Sequence, residues 1–141
     1  PRSPAPSWTD MRYLLDTNIL IAALKGVRGV REKLEATPLS DLVLSPIVLG
    51  ELEHGVEKSQ QRQRNRERLS RVVEGLPLIP LDARASERYG IVRAELERQG
   101  MAIGANDYWI AAQALSLGAV LVTDNVGELS RVPGLSVENW L

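Results

Sequence analysis

The sequence predicts an α/β fold: three layers, α/β/α, with a central, mostly parallel sheet flanked by helices. Three observations carry that prediction. Short apolar runs alternate with longer segments whose apolar residues recur at helical spacing. Most of those runs lead into a helical pattern, so successive strands need crossovers and lie parallel. The helical patterns also stop where they should, at Gly26, Gly75 and Gly100. At 141 residues the chain can bury one sizeable core without cross-links. No internal repeat or second domain interrupts it, so residues 11–141 read as a single domain.

In order along the chain, residues 1–10 are rich in Pro and Ser with no apolar period. They read as a disordered extension or an expression remnant ahead of Met11. Residues 12–16 form a short strand ending on Asp16. Residues 18–25 are apolar and helical, and residues 30–36 make a second short helix. Residues 42–44 are a buried strand, after which Ser45-Pro46 supplies an N-cap and a first-turn proline for a helix reaching about Glu57. Leu69, Val72 and Val73 stripe a helix over residues 62–74. Residues 76–81 read as an edge strand, because Pro77 and Pro80 cannot donate to a central ladder. Asp82 caps a long helix striped by Ala85, Tyr89, Val92 and Leu96. A helix over 105–117, a strand over 119–122 and a short strand over 135–138 complete the chain.

Composition removes several functions. The chain has no Cys, which excludes disulfide frameworks, thiolate zinc sites and thiol catalysis. One His leaves no room for a histidine-built metal site. The balance of 17 basic and 18 acidic residues gives no global sign of a nucleic-acid partner, and 4% aromatics argue against a base-stacking platform. The apolar run 19–24 is too short to cross a bilayer and no secretory leader is visible, so a soluble, cytoplasmic protein is expected.

The acids are more telling. In parallel sheets ligands bind beyond the carboxyl ends of the strands, and Asp16 and Asp124 follow two of them. Either one alone reads as a helix or turn cap. Helix phase, at about 100° per residue, adds two more. On the helix after Pro46, Glu51 falls between Ile47 and Val48 inside the apolar arc, while Glu53 and Glu57 fall on the wet side. On the later helix Asp107 shares the face of Ile110, Ala111 and Ala114, although a first-turn acid facing the helix dipole is the plainer reading. Inward carboxylates are costly unless paired, neutralised or bound to a cation. Four of them together suit a hard cation such as Mg²⁺ or Mn²⁺, able to activate water against a phosphodiester.

The motifs themselves are familiar. Leu14-Leu15-Asp16-Thr17-Asn18 resembles the opening motif of PIN-domain ribonucleases, as does Leu49-Gly50-Glu51-Leu52-Glu53-His54-Gly55 the second. Ile103-Gly104-Ala105-Asn106-Asp107, followed by Ile110-Ala111-Ala112, is similar to the third. Leu121-Val122-Thr123-Asp124-Asn125, then Arg131-Val132-Pro133-Gly134-Leu135 and Val137-Glu138-Asn139-Trp140, resembles the closing segment of VapC toxins. By position, the resemblance implies a PIN-like fold with catalytic acids at Asp16, Glu51 and Asp107, of which Asp16 and Asp107 are the metal ligands. The family often sets its fourth acid where this chain has Asn125. Asp124 is the catalytic candidate there, and Glu128 the alternative. Thr17, Asn18, Thr123 and Asn125 are the polar supports. The resemblance further implies a Mg²⁺- or Mn²⁺-dependent endoribonuclease, the toxin of a type II toxin–antitoxin pair, forming a homodimer and inhibited by a VapB-type antitoxin. Its RNA substrate includes tRNA among the options.

Residues 58–71 hold a run of basic side chains, which reads first as a solvated face; Arg62 and Arg66 are the ones placed to hold RNA phosphates. His54 falls off the main apolar arc and reads as structural or solvent-facing. Trp109 faces away from Asp107 and is assigned to packing or a subunit interface. Two other functions stay in view. One is an aspartyl-phosphate enzyme using Asp16, disfavoured because no second Asp stands two residues on. The other is a catalytically silent module that binds RNA or antitoxin, disfavoured by the complete set of acids.

Overall fold

The computed structural model describes residues 11–141, so the reading of residues 1–10 lies outside the described residues. Four strands form one sheet: β1 (Tyr13–Leu15), β2 (Leu42–Val43), β3 (Val120–Val122) and β4 (Val137–Glu138). Their spatial order is β2-β1-β3-β4 and every pairing is parallel. Among the described residues seven α-helices flank it: α1 (Thr17–Leu24), α2 (Arg28–Ala36), α3 (Pro46–Glu57), α4 (Arg62–Val73), α5 (Ala83–Arg98), α6 (Ala105–Leu117) and α7 (Val126–Leu129).

The register sets β1 between β2 and β3, with Leu14 facing Val43 on one side and Leu121 on the other. Leu14, Leu15, Leu121 and Val122 are all fully buried, the near-continuous apolar pattern of a sheet covered on both faces. Each such leucine contributes about 1.5–3 kcal/mol relative to exposure. Ile19 and Leu20 of α1, Leu96 of α5, and Ile110 and Ala111 of α6 complete that core.

The helix starts follow their caps. Asp16 Oδ1 accepts from Thr17 N at 2.8 Å, Ser45 Oγ from Ile47 N at 3.2 Å, and Asp82 Oδ1 from Ala85 N at 3.0 Å. At the other end of α6, Gly118 takes a left-handed conformation that closes the helix and turns the chain into β3.

Residues 76–81 depart from expectation. Instead of an edge strand they make one isolated parallel bridge, Leu44 to Leu78. Leu44 N donates to Pro77 O at 2.8 Å and Ile79 N donates to Leu44 O at 3.1 Å. Pro77 and Pro80 have no N–H to extend that ladder. A one-turn 3₁₀ segment at Leu39–Asp41 and the four-residue α7 have no counterpart in the sequence reading. Among the described residues no helix is long and apolar enough to cross a membrane.

Candidate active site

Strand β1 delivers Asp16 to the carboxyl edge of the sheet. Its N–H donates to Val122 O at 2.9 Å, which carries the β1–β3 ladder one residue past the strand. Its side chain is buried, 8% exposed, and both oxygens are engaged. Oδ1 caps α1, and Oδ2 accepts from Thr123 Oγ1 at 2.7 Å. Thr123 is fully buried, and its Oγ1 in turn accepts from Asn125 N at 3.0 Å. Two charge-assisted bonds lock the carboxylate and leave each oxygen a further lone pair.

Around this fixed acid the others gather. Glu51 sits half-buried on α3; burial and the Asp16 charge push its carboxyl above the ordinary carboxylate range, offset in part by the nearby Thr17 hydroxyl. That hydroxyl is itself buried, with no partner in hydrogen-bond geometry. Asp107, in the first turn of α6, is raised from 3.8 to about 6, first by burial and then by the charges of Asp16, Glu128 and Glu51. Helix α7 turns Glu128 back toward it, where Asn125 Nδ2 donates to Glu128 Oε2 at 3.0 Å. Asp16, Glu51, Asp107 and Glu128 therefore share one field, and no cation figures among the groups acting on Glu51 or Asp107. Asp124 is exposed, accepts from Asn18 Nδ2 at 3.1 Å, and is absent from the charges that bear on Asp107.

Among the described residues no three of these carboxylates already close around one ion-sized point. The donors nonetheless fit a hard divalent cation in kind. They are all oxygen, one buried hydroxyl beside them lacks a partner, and Mg²⁺ is commonly held by one or two carboxylates with water completing the shell.

The basic run lies elsewhere. Arg66 is bound to Glu53 at 2.9 Å and Glu57 at 2.8 Å, and Arg62 stands 3.7 Å from Glu57. Both border an open depression of about 700 Å³ at the α3–α4 turn that includes none of the four acids. A second groove, about 330 Å³, runs between α1, α3 and α4 and does reach Glu51. Its walls include Ile21, Leu24, Leu52 and Val56, with Lys25, Asn65 and Arg68 also lining it.

The PIN domain family model matches residues 13–135, which contain all four acids. Ribonuclease VapC2 of Rickettsia felis is 39% identical over 132 residues, covering 92% of this chain and 98% of that protein. The chain belongs to the VapC family of PIN-domain ribonucleases. The tRNA(fMet)-specific endonuclease VapC of Shigella flexneri is 38% identical, with 92% of this chain and 98% of that protein covered. Among solved structures, the VapBC2 complex of Rickettsia felis bound to a promoter DNA fragment matches with a TM-score of 0.88 at 38% identity, covering 93% of this chain and all of that one. The DNA-bound VapBC complex of Salmonella typhimurium gives the same TM-score at 36% identity, covering 93% and 99%.

Glu51 and Asp107, the two acids singled out by helix phase, lie in one electrostatic field with Asp16. Sequence reasoning did not find Lys25 or Arg68, which line the groove at Glu51. For Arg68 a signal existed, since it precedes buried Leu69 and lies three residues from Asn65 on the same helical face. It also missed Gly104. A Cβ there would lie 3.2 Å from Asp107 Oδ2, so any other residue would press that carboxylate a few tenths of an ångström from its present place. His54 is exposed and lines a shallow hollow with Glu51 and Asn106. Trp109 stacks on Tyr89, 4.0 Å between centroids and 19° between planes, on the side away from the acids.

Proposed function

We propose that this chain is a divalent-metal-dependent endoribonuclease, built as one domain over residues 11–141, which hydrolyses RNA phosphodiesters as the toxin of a type II toxin–antitoxin pair. One observation carries the reading. Carboxylates from the β1 end, α3, α6 and α7 converge on one sheet edge, their charges help push the Glu51 and Asp107 carboxyls up, and no protein cation figures among the groups acting on those two. Uncompensated charge of that kind is unfavourable in the empty site and favourable once a cation arrives.

In this reading Asp16 and Asp107 hold the metal, Mg²⁺ or Mn²⁺. When bound, the ion supplies charge neutralisation at the scissile phosphate and a more acidic water. Asp16 brings a carboxylate whose direction is already fixed by Thr17 N and Thr123 Oγ1. Glu51, with its raised pKa, is suited to take a proton from the attacking water near neutral pH. For the fourth acid we favour Glu128, because its charge acts on Asp107 whereas Asp124 is turned to Asn18. Asn18 and Asn125 then orient Asp124 and Glu128 respectively.

The relatives' names make tRNA the first substrate to try, and the matched complexes make a VapB-type antitoxin the proposed inhibitor. A homodimer and a cytoplasmic location complete the reading. The deciding experiment is cleavage of bulk tRNA and total RNA by antitoxin-free protein with Mg²⁺, Mn²⁺ or EDTA, beside Asp16→Asn and Asp107→Asn. Discrete cuts that need metal and vanish in both variants are expected. Folded, metal-supplied protein that cuts none of these RNAs would instead be a binding module.

A further inference from the structure

Four carboxylates repel the polyanion they are proposed to cut. A bound divalent ion relieves that repulsion at the scissile phosphate, but the phosphates on either side still need positive charge, which proteins supply with Lys and Arg. The arginines at the α3–α4 turn are poorly free to do so. Arg66 is held by Glu53 and Glu57 on neighbouring turns of α3, and Arg62 stands beside Glu57.

Two other basic residues are better placed. The groove that reaches Glu51 is lined by Lys25, at the C-terminal end of α1, and Arg68, on α4. Both are exposed, and neither has an ion-pair partner among the described residues. They come from different helices yet border one cleft that Glu51, a proposed catalytic acid, also lines. Much of its lining is aliphatic, with the partly exposed Ile21 and Leu24 available to the face of a sugar or an unstacked base. No aromatic ring lines the groove, so it offers no stacking platform.

Resting on the ribonuclease reading above, we infer that Lys25 and Arg68 are positioning residues that hold an RNA phosphate flanking the scissile one, so that the substrate strand runs along the α1–α3–α4 groove into the acid cluster. Arg68 offers a planar fork to phosphate oxygens and Lys25 a point charge. Contacts of this type set register and affinity and carry no base information.

The test uses the full chain in the cleavage-impaired Asp16→Asn background and bulk tRNA as the probe. Binding is measured across a salt series with Lys25→Ala, Arg68→Ala and the pair, and with Arg84→Ala, which lines a separate hollow with Leu115 and Ser116 near the C-terminal end of α6, as the comparison. Each groove substitution should weaken binding and lower the slope of log K against log salt by about 1, and Arg84→Ala should not. In the Asp16-containing enzyme, the same changes should raise KM more than they lower kcat. Slopes and KM that do not move, or no tRNA binding at all, overturn the assignment. So does intact tRNA binding with lost affinity for a co-purified antitoxin, which would give the groove to a protein segment. Failure of the ribonuclease reading is separable: it shows as no metal-dependent cleavage of any RNA, whatever the binding slopes report.

Discussion

Helix α3 carries three glutamates with two different fates. Glu53 and Glu57 face outward and meet Arg66 at 2.9 and 2.8 Å. Glu51, on the other side of the same helix, meets Asp16 and no cation, and its carboxyl is pushed up. Residue type and helix are the same; the face differs. On the solvent side, charge is balanced within the protein. On the sheet-edge side, charge is left for something outside the chain to balance. The difference separates a surface ion-pair network, worth little in water, from a site whose free energy improves only when a ligand binds.

The contrast can be broken most forcefully by substitution at the acids. Asp16→Asn or Glu51→Gln should lower RNA cleavage by more than the roughly 10–100-fold typical of losing a supporting hydrogen bond. Glu53→Gln, one turn of charge away, should leave the rate within about twofold, since exposed pairs contribute little. Single-turnover kinetics on the RNA that proves cleavable compare the three. Equal losses for Glu51→Gln and Glu53→Gln would dissolve the distinction between the two faces.

Next in size is the support beneath Asp16. Thr123→Val removes the hydroxyl that donates to Asp16 Oδ2 and leaves a buried carboxylate short of one partner. A loss of about 1–3 kcal/mol in urea unfolding is expected, together with weaker metal binding. Thr17→Val is the informative companion, because Thr17 Oγ1 is buried without a partner. It should cost less metal-free stability than Thr123→Val and push the Glu51 carboxyl further up.

A third effect is smaller and depends on pH. Asp107 has a folded pKa of about 6 against an ordinary 3.8. The folded chain therefore binds that proton more tightly than the unfolded chain does. The stability this group contributes is present below 3.8 and lost as pH rises through about 6. In EDTA, melting temperature should decline across that window relative to Asp107→Asn, and divalent metal should remove the difference at neutral pH. Parallel pH profiles for the two proteins would show that the acids do not strain the empty site. The smallest effect belongs to the balanced face. Arg66→Ala should leave the melting temperature nearly unchanged, with any difference erased by added salt.

Much of this was legible in the sequence, for reasons that differ by element. The caps at Asp16, Ser45 and Asp82 announced their helices because a short polar side chain before an apolar stripe satisfies free N–H groups. Glu51 was legible because a twelve-residue helix defines its phase well. Residues 76–81 were not, because aliphatic residues between prolines fit both a strand and a single bridge, and only the proximity of Leu44 decides. The fourth acid was not legible either. Whether Asp124 or Glu128 turns inward depends on α7, whose four residues are too few to give a periodic signal. The partners of Arg62 and Arg66 were likewise hidden, since they follow from how α4 packs on α3 and not from either helix alone.

The Thr123 to Asp16 hydrogen bond joins residues 107 positions apart, and β1 gains its β3 neighbour only through that late part of the chain. On a ribosome, the first acid emerges early but has no seat until β3 has been made, and Asp107 and Glu128 also come late. A nascent or truncated chain lacking residues 120–128 carries Asp16 and Glu51 without the frame that aims them. On the proposed reading of the site, a chain that stops short of residue 120 should therefore cleave no RNA, because it lacks both the Thr123 seat of Asp16 and Glu128.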